Sequence, residues 1–511
     1  MELFQTCSPL RNSFKDYLSY IHMRFRLKPL KISTGKPVIF LHESSAKKMD
    51  IHIGDRVVIQ RNKDRLVAIV DLVKGIIKKD EAALSEELSA SIKHNNGFIE
   101  VFPSETAESS SILQNQSNSK EYSQDDLNKI MDDIVNNRLS EAEVAYFVST
   151  MAHYKASSKE IISLTNAIVK TGTILSWNYK IVADKHSIGG IPGNRTTPIV
   201  IAICAAAGVI MPKTSSRAIT SAAGTADTVE SIAPVNLTIE ELKRVVKKTG
   251  ACLAWGGSLG LAPADDKLIR VEKLLRVDPE SQLLASILAK KVSVGSTHVL
   301  IDIPYGNGAK VSKENGERLG KLFISLGKKL GLKVKVVLTD GREPIGNGIG
   351  PVLEMKDVLK VLKQDNSPKD LENKSIFLAG NILEMVGKAK KSQGISKAKE
   401  ILYSGRAYKK FTEIILAQGG DPKTWLPEAK YNHTIISKHA ATVERINNHS
   451  INYLARIAGC PSDKASGLYL YKHVGERLNQ GERLITIFSE SKSKLREAIR
   501  FFKKQKPIIL Q

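Results

Sequence analysis

The sequence predicts a multidomain α/β protein: a small N-terminal β domain, a helical subdomain, an α/β core, and a C-terminal α+β domain. Three observations predict it. The chain has 511 residues, more than one hydrophobic core organises. From Ile181 onward, short apolar strands alternate with Gly-rich loops and helices, the order of a parallel sheet with crossover connections. The composition also shifts twice, to Ser, Asn and Gln over residues 104–123 and again after Asp421-Pro422. The expected division is therefore 1–103 for the β-rich domain, 104–123 for a linker, 124–180 with 262–295 for the helical subdomain, 181–261 with 296–425 for the core, and 426–511 for the last domain.

In the first domain, RFRLKPLKI and KPVIFLHES alternate as half-buried strands do, and the segments 56–59 and 66–70 follow a turn at Ile53-Gly54-Asp55. Residues 81–91 read as a helix and 97–101 as a closing strand. Ser123, Ser140 and Ser157, each followed by acidic residues, start helices over about 124–136, 140–154 and 158–172. Further on, helices are expected over 240–249, 267–294 (interrupted at Asp278-Pro279), 314–330 and in the stretch 346–362. Strands are expected over 299–303, stopped by Pro304, and over 334–338. The last domain has apolar runs punctuated by Gly475 and Gly481, a hairpin-rich pattern, and a closing helix near its end.

Composition narrows the class. The four cysteines, Cys7, Cys204, Cys252 and Cys460, are far apart and form no CxxC, so they read as reduced thiols without a disulfide framework or zinc site. There is no apolar run of the ~18–20 residues a membrane helix needs and no signal-peptide h-region, so a soluble cytoplasmic protein is expected. No His/Cys/Asp/Glu cluster calls for a metal. The net charge of +23 suits an anionic partner. It is dispersed in KK pairs, and aromatic residues are only 6%, so stacking platforms for nucleic acid are scarce and nucleic-acid binding is not expected as the main role.

The most informative stretch is 184–230. Its first loop, DKHSIGG, runs on to Gly193-Asn194, and its second opens with Ser215-Ser216-Arg217 and ends at Gly224-Thr225. Each loop opens a helix. The first helix begins near Thr196, with Asn194 as cap and Pro198 early; the second is capped by Thr225, with Asp227 and Glu230 near its positive end. Helix N-termini preceded by Gly and hydroxyl residues offer free N–H groups to a phosphate oxygen, and Lys185 and Arg217 add positive charge. A single loop of this kind is equally an ordinary strand–helix connection. Two in succession, each with hydroxyls and a cation, fit that reading less well.

SSRAITSAAGTADTVE (residues 215–230) resembles the signature of the thymidine/pyrimidine-nucleoside phosphorylase family. DKHSIGG, LAPADDK and ASILAKK recur there in the same order, and the 475–487 pattern is similar to the family's C-terminal domain. With a β domain in front, the layout resembles the archaeal branch, which includes AMP phosphorylases. The resemblance implies a phosphorylase cleft and phosphorolysis: phosphate attacks C1′, the base leaves and a sugar 1-phosphate forms. No cofactor is implied, inorganic phosphate being a co-substrate, and a homodimer or larger homo-oligomer is implied. By resemblance, phosphate falls to Lys185, Ser187, Ser215 and Thr225, with Thr196 matched across an altered spacing. Gly190 and the run Ser216, Arg217, Ala218, Ile219, Thr220 and Ser221 would supply close backbone contacts. His186, Ser286 and Lys290 match base-contacting positions, as does Arg270. Asp278 matches the acid, with His186 beside it as the second catalytic residue, and Lys310 joins the substrate site. Read without the resemblance, Asp278 is an Asp-Pro helix start, Lys290 a solvated lysine, His186 a loop-packing residue and Ser286 a small core contact.

The leading expectation is thymidine plus phosphate to thymine plus 2-deoxyribose 1-phosphate. The alternative is a nucleoside-monophosphate (AMP, CMP or UMP) phosphorylase giving base and ribose 1,5-bisphosphate. A remote third reading is an inactive fold retained for nucleic-acid binding, against which every hydroxyl and cation of the two loops is present.

Overall fold

The computed structural model describes residues 22–92, 96–115, 121–218 and 221–511. Cys7, Ile219 and Thr220 lie outside the described residues. The chain divides into two compact units, one within Met1–Tyr154 plus Lys267–Val277, the other Lys155–Asp266 plus Asp278–Gln511. The stretches 124–180 and 262–295, expected together as one helical subdomain, are thus each divided between the units.

The first unit opens with a closed barrel. Its strands are β1 (Met23–Leu27), β2 (Val38–His42), β3 (Arg56–Arg61), β4 (Asp64–Val73), β5 (Glu81–Leu84) and β6 (Phe98–Pro103), in the order β1-β5-β2-β4-β3-β6. Alternation places Phe25, Ile39, Leu41, Val57, Ile59, Val70, Ile99 and Val101 inside. The helix expected over 81–91 is half wrong. Residues 81–84 pair with both β1 and β2 and close the barrel, and only Glu86–Ser91 is helical, capped by Ser85. Tertiary pairing overrides the helix preference of Ala82 and Ala83. The linker expected at 104–123 also contains a packed helix, Glu108–Gln114. Two of its three serines face carboxylates rather than water: Ser109 Oγ donates to Asp133 at 2.6 Å and Ser110 Oγ to Glu143 at 2.5 Å. Helices Gln124–Val135 and Glu141–His153 start in the expected capping boxes at Ser123 and Ser140. Lys267 joins this unit by donating to the last carbonyls of the first of these, Ile134 O at 2.9 Å and Val135 O at 2.7 Å.

The second unit holds a parallel sheet built from β7 (Ala183–Ser187), β8 (Met211–Ser215), β9 (Ala251–Trp255), β10 (His298–Tyr305) and β11 (Lys333–Asp340). One ladder runs β11-β10-β7 and the next β8-β9, and Ala183 N donates to Ile210 O at 2.9 Å where they adjoin. Its central helix, Thr196–Ala206, is apolar and buried nearly all round, which is how a helix enclosed by its neighbours reads. Pro304 does not stop β10, which pairs with β11 through Tyr305. Pairing with β7 ends at Asp302 and the next bridge on that edge is Tyr305 with Val311, so Pro304 lies between partners there and its missing N–H is tolerated.

Two small sheets follow, β12-β15-β17-β13 and β16-β14-β18, from β12 (Gly348–Ile349), β13 (Tyr431–Ile436), β14 (Ala441–Ile446), β15 (Gly467–Leu470), β16 (Arg477–Leu478), β17 (Arg483–Ser489) and β18 (Ile508–Leu510). Helices Asn448–Ala458 and Lys492–Gln505 pack on them. Because β12 comes from the core segment and pairs with β15, the C-terminal region and the core are packed as one unit.

Cys204, Cys252 and Cys460 are free and buried, and burial pushes the Cys252 thiol up to about 12. No helix among the described residues is long and apolar enough to cross a membrane, and no metal-holding group of His, Cys, Asp and Glu occurs among them.

Candidate active site

The loops at the carboxyl ends of the parallel strands form the site. After β7 the chain moves to β8 on one side, whereas β10 pairs on the other, and loops diverging at such a switch leave a crevice. Gly189 and Gly190 there have φ of 89° and 97°, a conformation glycine adopts freely. A Cβ on Gly190 would also lie 3.1 Å from Lys310 Cγ, so the loops after β7 and β10 touch. In the second loop a Cβ on Gly224 would lie 2.4 Å from Ser216 O. Only glycine lets the two ends of that loop close.

Lys185 is 2% exposed, and its Nζ donates to Thr196 Oγ1 at 2.8 Å and reaches Thr197 Oγ1 at 3.5 Å. Burial, against the pull of Asp302, lowers its pKa to about 7. Asn194 is not the cap of the helix Thr196–Ala206: Arg195 occupies that position, without a side-chain cap. Its guanidinium turns inward instead, to Glu354 Oε2 at 2.5 Å, Thr225 Oγ1 at 3.0 Å and Ala223 O at 2.9 Å. Thr225 is the first helical residue rather than the cap, which is Gly224. Asp227 accepts from Gly224 N at 2.8 Å and from Ala218 N at 2.7 Å, which fixes both limbs of the loop. One buried arginine thus links the start of the first helix to the hydroxyl of the second.

Behind this pair, Asp184 takes Lys213 at 3.0 Å and Lys291 at 2.7 Å, all three side chains being buried. Their charges hold the Asp184 carboxyl below the usual range despite its burial. His186 is half-buried; burial and the surrounding lysines Lys291, Lys213, Lys290 and Lys185 hold its pKa well below 6.5, so the imidazole is neutral at pH 7. Lys374 faces buried Asp302 at 3.4 Å.

Two of the residues matched to the base, Ser286 and Lys290, also meet. On the helix Glu280–Ser293, Lys290 Nζ donates to Ser286 Oγ at 3.2 Å and pairs with buried Asp265 at 2.5 Å. Asp278 and Lys310 form an ion pair. Ser187 Oγ accepts from Asn194 Nδ2 at 3.5 Å, Ser215 Oγ donates to Ala254 O at 3.2 Å, and Ser221 Oγ to Ala223 O at 2.7 Å. Ser216 is exposed.

Three further placements differ from the sequence reading. Arg217 is not a free cation. It makes a bidentate pair with Glu230 at 2.7 and 2.9 Å, reaches Asp227 at 3.3 Å and lies over the Trp255 ring at 4.8 Å. Its charge is committed to holding the loop. Glu230, expected to act at a helix N-terminus, is that helix's C-cap and Arg217's partner. Arg270 lies in Lys267–Val277 and belongs to the first unit.

Sequence reading missed Arg195, Lys213, Lys291, Asp265 and Glu354. Signals for three were present: Arg195 directly follows Gly193-Asn194, Asp265 lies in LAPADDK and Lys291 ends ASILAKK. Lys185, Arg195, Lys213, Lys290, Lys291, Lys310 and Lys374 gather there with Asp184, Asp265, Asp278, Asp302 and Glu354. Such a site attracts a dianion and needs no covalent nucleophile of its own.

Comparison with known proteins agrees. Residues 179–408 match the glycosyl transferase family a/b domain, and 442–508 the pyrimidine nucleoside phosphorylase C-terminal domain. Among solved structures, the fold is shared with anthranilate phosphoribosyltransferase from Thermus thermophilus, with TM-score 0.50, 17% identity, and coverage of 59% of this chain and 97% of that one. AMP phosphorylase from Pyrococcus furiosus is 43% identical over 494 residues, covering 96% of this chain and 98% of the relative. AMP phosphorylase 1 from Archaeoglobus fulgidus is 40% identical over 493 residues, covering 96% and 97%. A Hahella chejuensis protein named "Putative thymidine phosphorylase" is 40% identical over 484 residues, covering 93% and 95%. The chain is a pentosyltransferase and belongs to the thymidine/pyrimidine-nucleoside phosphorylase family, within the set of relatives that includes the AMP phosphorylases.

Proposed function

We propose that the protein is a nucleoside-monophosphate phosphorylase, converting a nucleotide such as AMP and phosphate to free base and ribose 1,5-bisphosphate. The observation that carries this reading is full-length similarity at 38–43% identity to proteins named AMP phosphorylase. It replaces thymidine, the leading expectation from sequence, as the first substrate to test. The gathering of cationic side chains also suits a reaction whose substrates are both anions.

In this reading, phosphate sits between the Ser187–Gly190 and 215–225 loops, held by the Lys185 ammonium, the Thr225 hydroxyl and loop N–H groups. One of its oxygens attacks C1′, and the bond to the base breaks with its electron pair going to the base. The departing base takes up its proton through Asp278, whose carboxylate, paired with Lys310 in the free chain, first receives that proton from the incoming monoanionic phosphate, and Lys310 stabilises the carboxylate once the proton has passed on. Ser286, Lys290 and neutral His186 face the base. The nucleotide's 5′-phosphate is the second anion this reading requires the site to hold. Because charge-assisted hydrogen bonds contribute about 1.5–3 kcal/mol each, two of them to that group set a discrimination of about 10²–10⁴-fold.

The test is a panel with phosphate plus AMP, CMP, UMP, thymidine, uridine or cytidine, scored by free base. At least one monophosphate should exceed thymidine and uridine by about 100-fold or more in kcat/KM. Thymidine turned over faster than every monophosphate would overturn the substrate assignment.

A further inference from the structure

Two asparagines of the C-terminal region reach across to the site loops. They lie one turn apart on the helix Asn448–Ala458, and both side chains are buried. Asn452 Oδ1 accepts from Ala222 N at 3.0 Å, and its Nδ2 donates to Gly190 O at 3.3 Å. It therefore bridges the two loops assigned to phosphate. Asn448 Nδ2 donates to Gly341 O at 2.9 Å and to Gly308 O at 3.2 Å. It therefore bridges the Lys310 loop and the loop after β11. The helix is itself anchored by Asn447, whose Oδ1 accepts from Ser450 N at 2.9 Å.

The partners explain the residue type. Gly190 and Gly308 have φ of 97° and 88°, and glycine has no side chain with which to fix its own peptide. An amide suits the position because it accepts from Ala222 N–H with its oxygen and donates to the Gly190 carbonyl with its nitrogen, two separate atoms of one short side chain. Asn452 stands inside the helix, where asparagine is a poor helix former, so local propensity does not account for it.

We propose that Asn452 and Asn448 are positioning residues. The C-terminal helix sets the separation between the phosphate loops and the Lys310 loop, with Asn452 governing phosphate affinity and Asn448 the proton-delivery step. This rests on the phosphorolytic reading given above for the same site.

The test uses the full chain with Asn452→Ala and Asn448→Ala, each checked by circular dichroism and thermal melting. KM and kcat are measured for phosphate and AMP, and inorganic phosphate binding is measured alone by calorimetry. Asn452→Ala should raise the phosphate KM and Kd about tenfold or more and leave the AMP KM within about twofold. Asn448→Ala should lower kcat about tenfold and leave phosphate Kd within about twofold. Asn452→Ser keeps a short polar group there and stands in if the alanine variant does not fold. Unchanged constants in both variants, or a loss that follows the folded fraction alone and is equal for both substrates, would overturn the proposal. A wild-type chain that binds phosphate but turns over no nucleotide or nucleoside would sink the functional reading, while the phosphate Kd of Asn452→Ala would still decide the positioning claim.

Discussion

Replacing Lys185 by methionine is expected to lower kcat/KM for phosphate by about 10²–10³-fold while leaving the fold intact. A buried donor aimed at an anion contributes about 2.7–4 kcal/mol when it acts in the transition state. Methionine fills nearly the same volume and removes an ammonium whose burial is unfavourable, so the melting temperature should hold or rise. Loss of phosphate use without loss of stability is the signature of a ligand-binding cation. The lowered pKa of about 7 adds a pH dependence. Raising the pH through 7 removes the proton and the charge, so competition by sulfate, which stays a dianion, should weaken between pH 6 and 8.5. The sign for stability is the opposite. In the unfolded chain this lysine keeps its proton to about pH 10.4. Between that pH and 7 the unfolded state binds more protons, and this group's contribution to stability rises with pH. The methionine variant should lack both trends; sulfate inhibition equally steep in pH in both proteins would contradict the assignment.

Arg195→Met is expected to be the most destabilising single change at the site. Arg195 is 7% and Glu354 1% exposed. Removing the arginine leaves a buried carboxylate whose pKa burial already raises, at a cost of about 3–5 kcal/mol. Thr225 loses the donor that orients its hydroxyl, so phosphate KM should rise as well. Glu354→Gln in the same chain removes the stranded charge, and the double variant should recover about half of the lost stability, read by thermal melting in a double-mutant cycle. A double variant no more stable than Arg195→Met would show that the pair does not act as a unit.

The parts legible in the sequence were those written in local signals. Gly189, Gly190 and Gly224 stand where the backbone needs them, and Ser123, Ser140 and Ser157 start their helices. The misread parts depend on partners far along the chain. Residues 81–84 become a strand because β1 and β2 leave a gap between them. Arg217 looks like an anion ligand until Glu230 and Trp255 are placed around it. Arg195 looks like a loop residue until Glu354 is brought beneath it. Asn448 and Asn452 carry no local signal at all, because their partners are main-chain atoms of distant glycine-rich loops.

The central claim is that inorganic phosphate, held by the two loops after β7 and β8, is the nucleophile at C1′. Isotopically labelled inorganic phosphate supplied with AMP tests it most directly. Label appearing at position 1 of ribose 1,5-bisphosphate, in amount equal to the adenine released, is the predicted result. Adenine released while all the label remains in inorganic phosphate would mean that water is the nucleophile and would contradict the account.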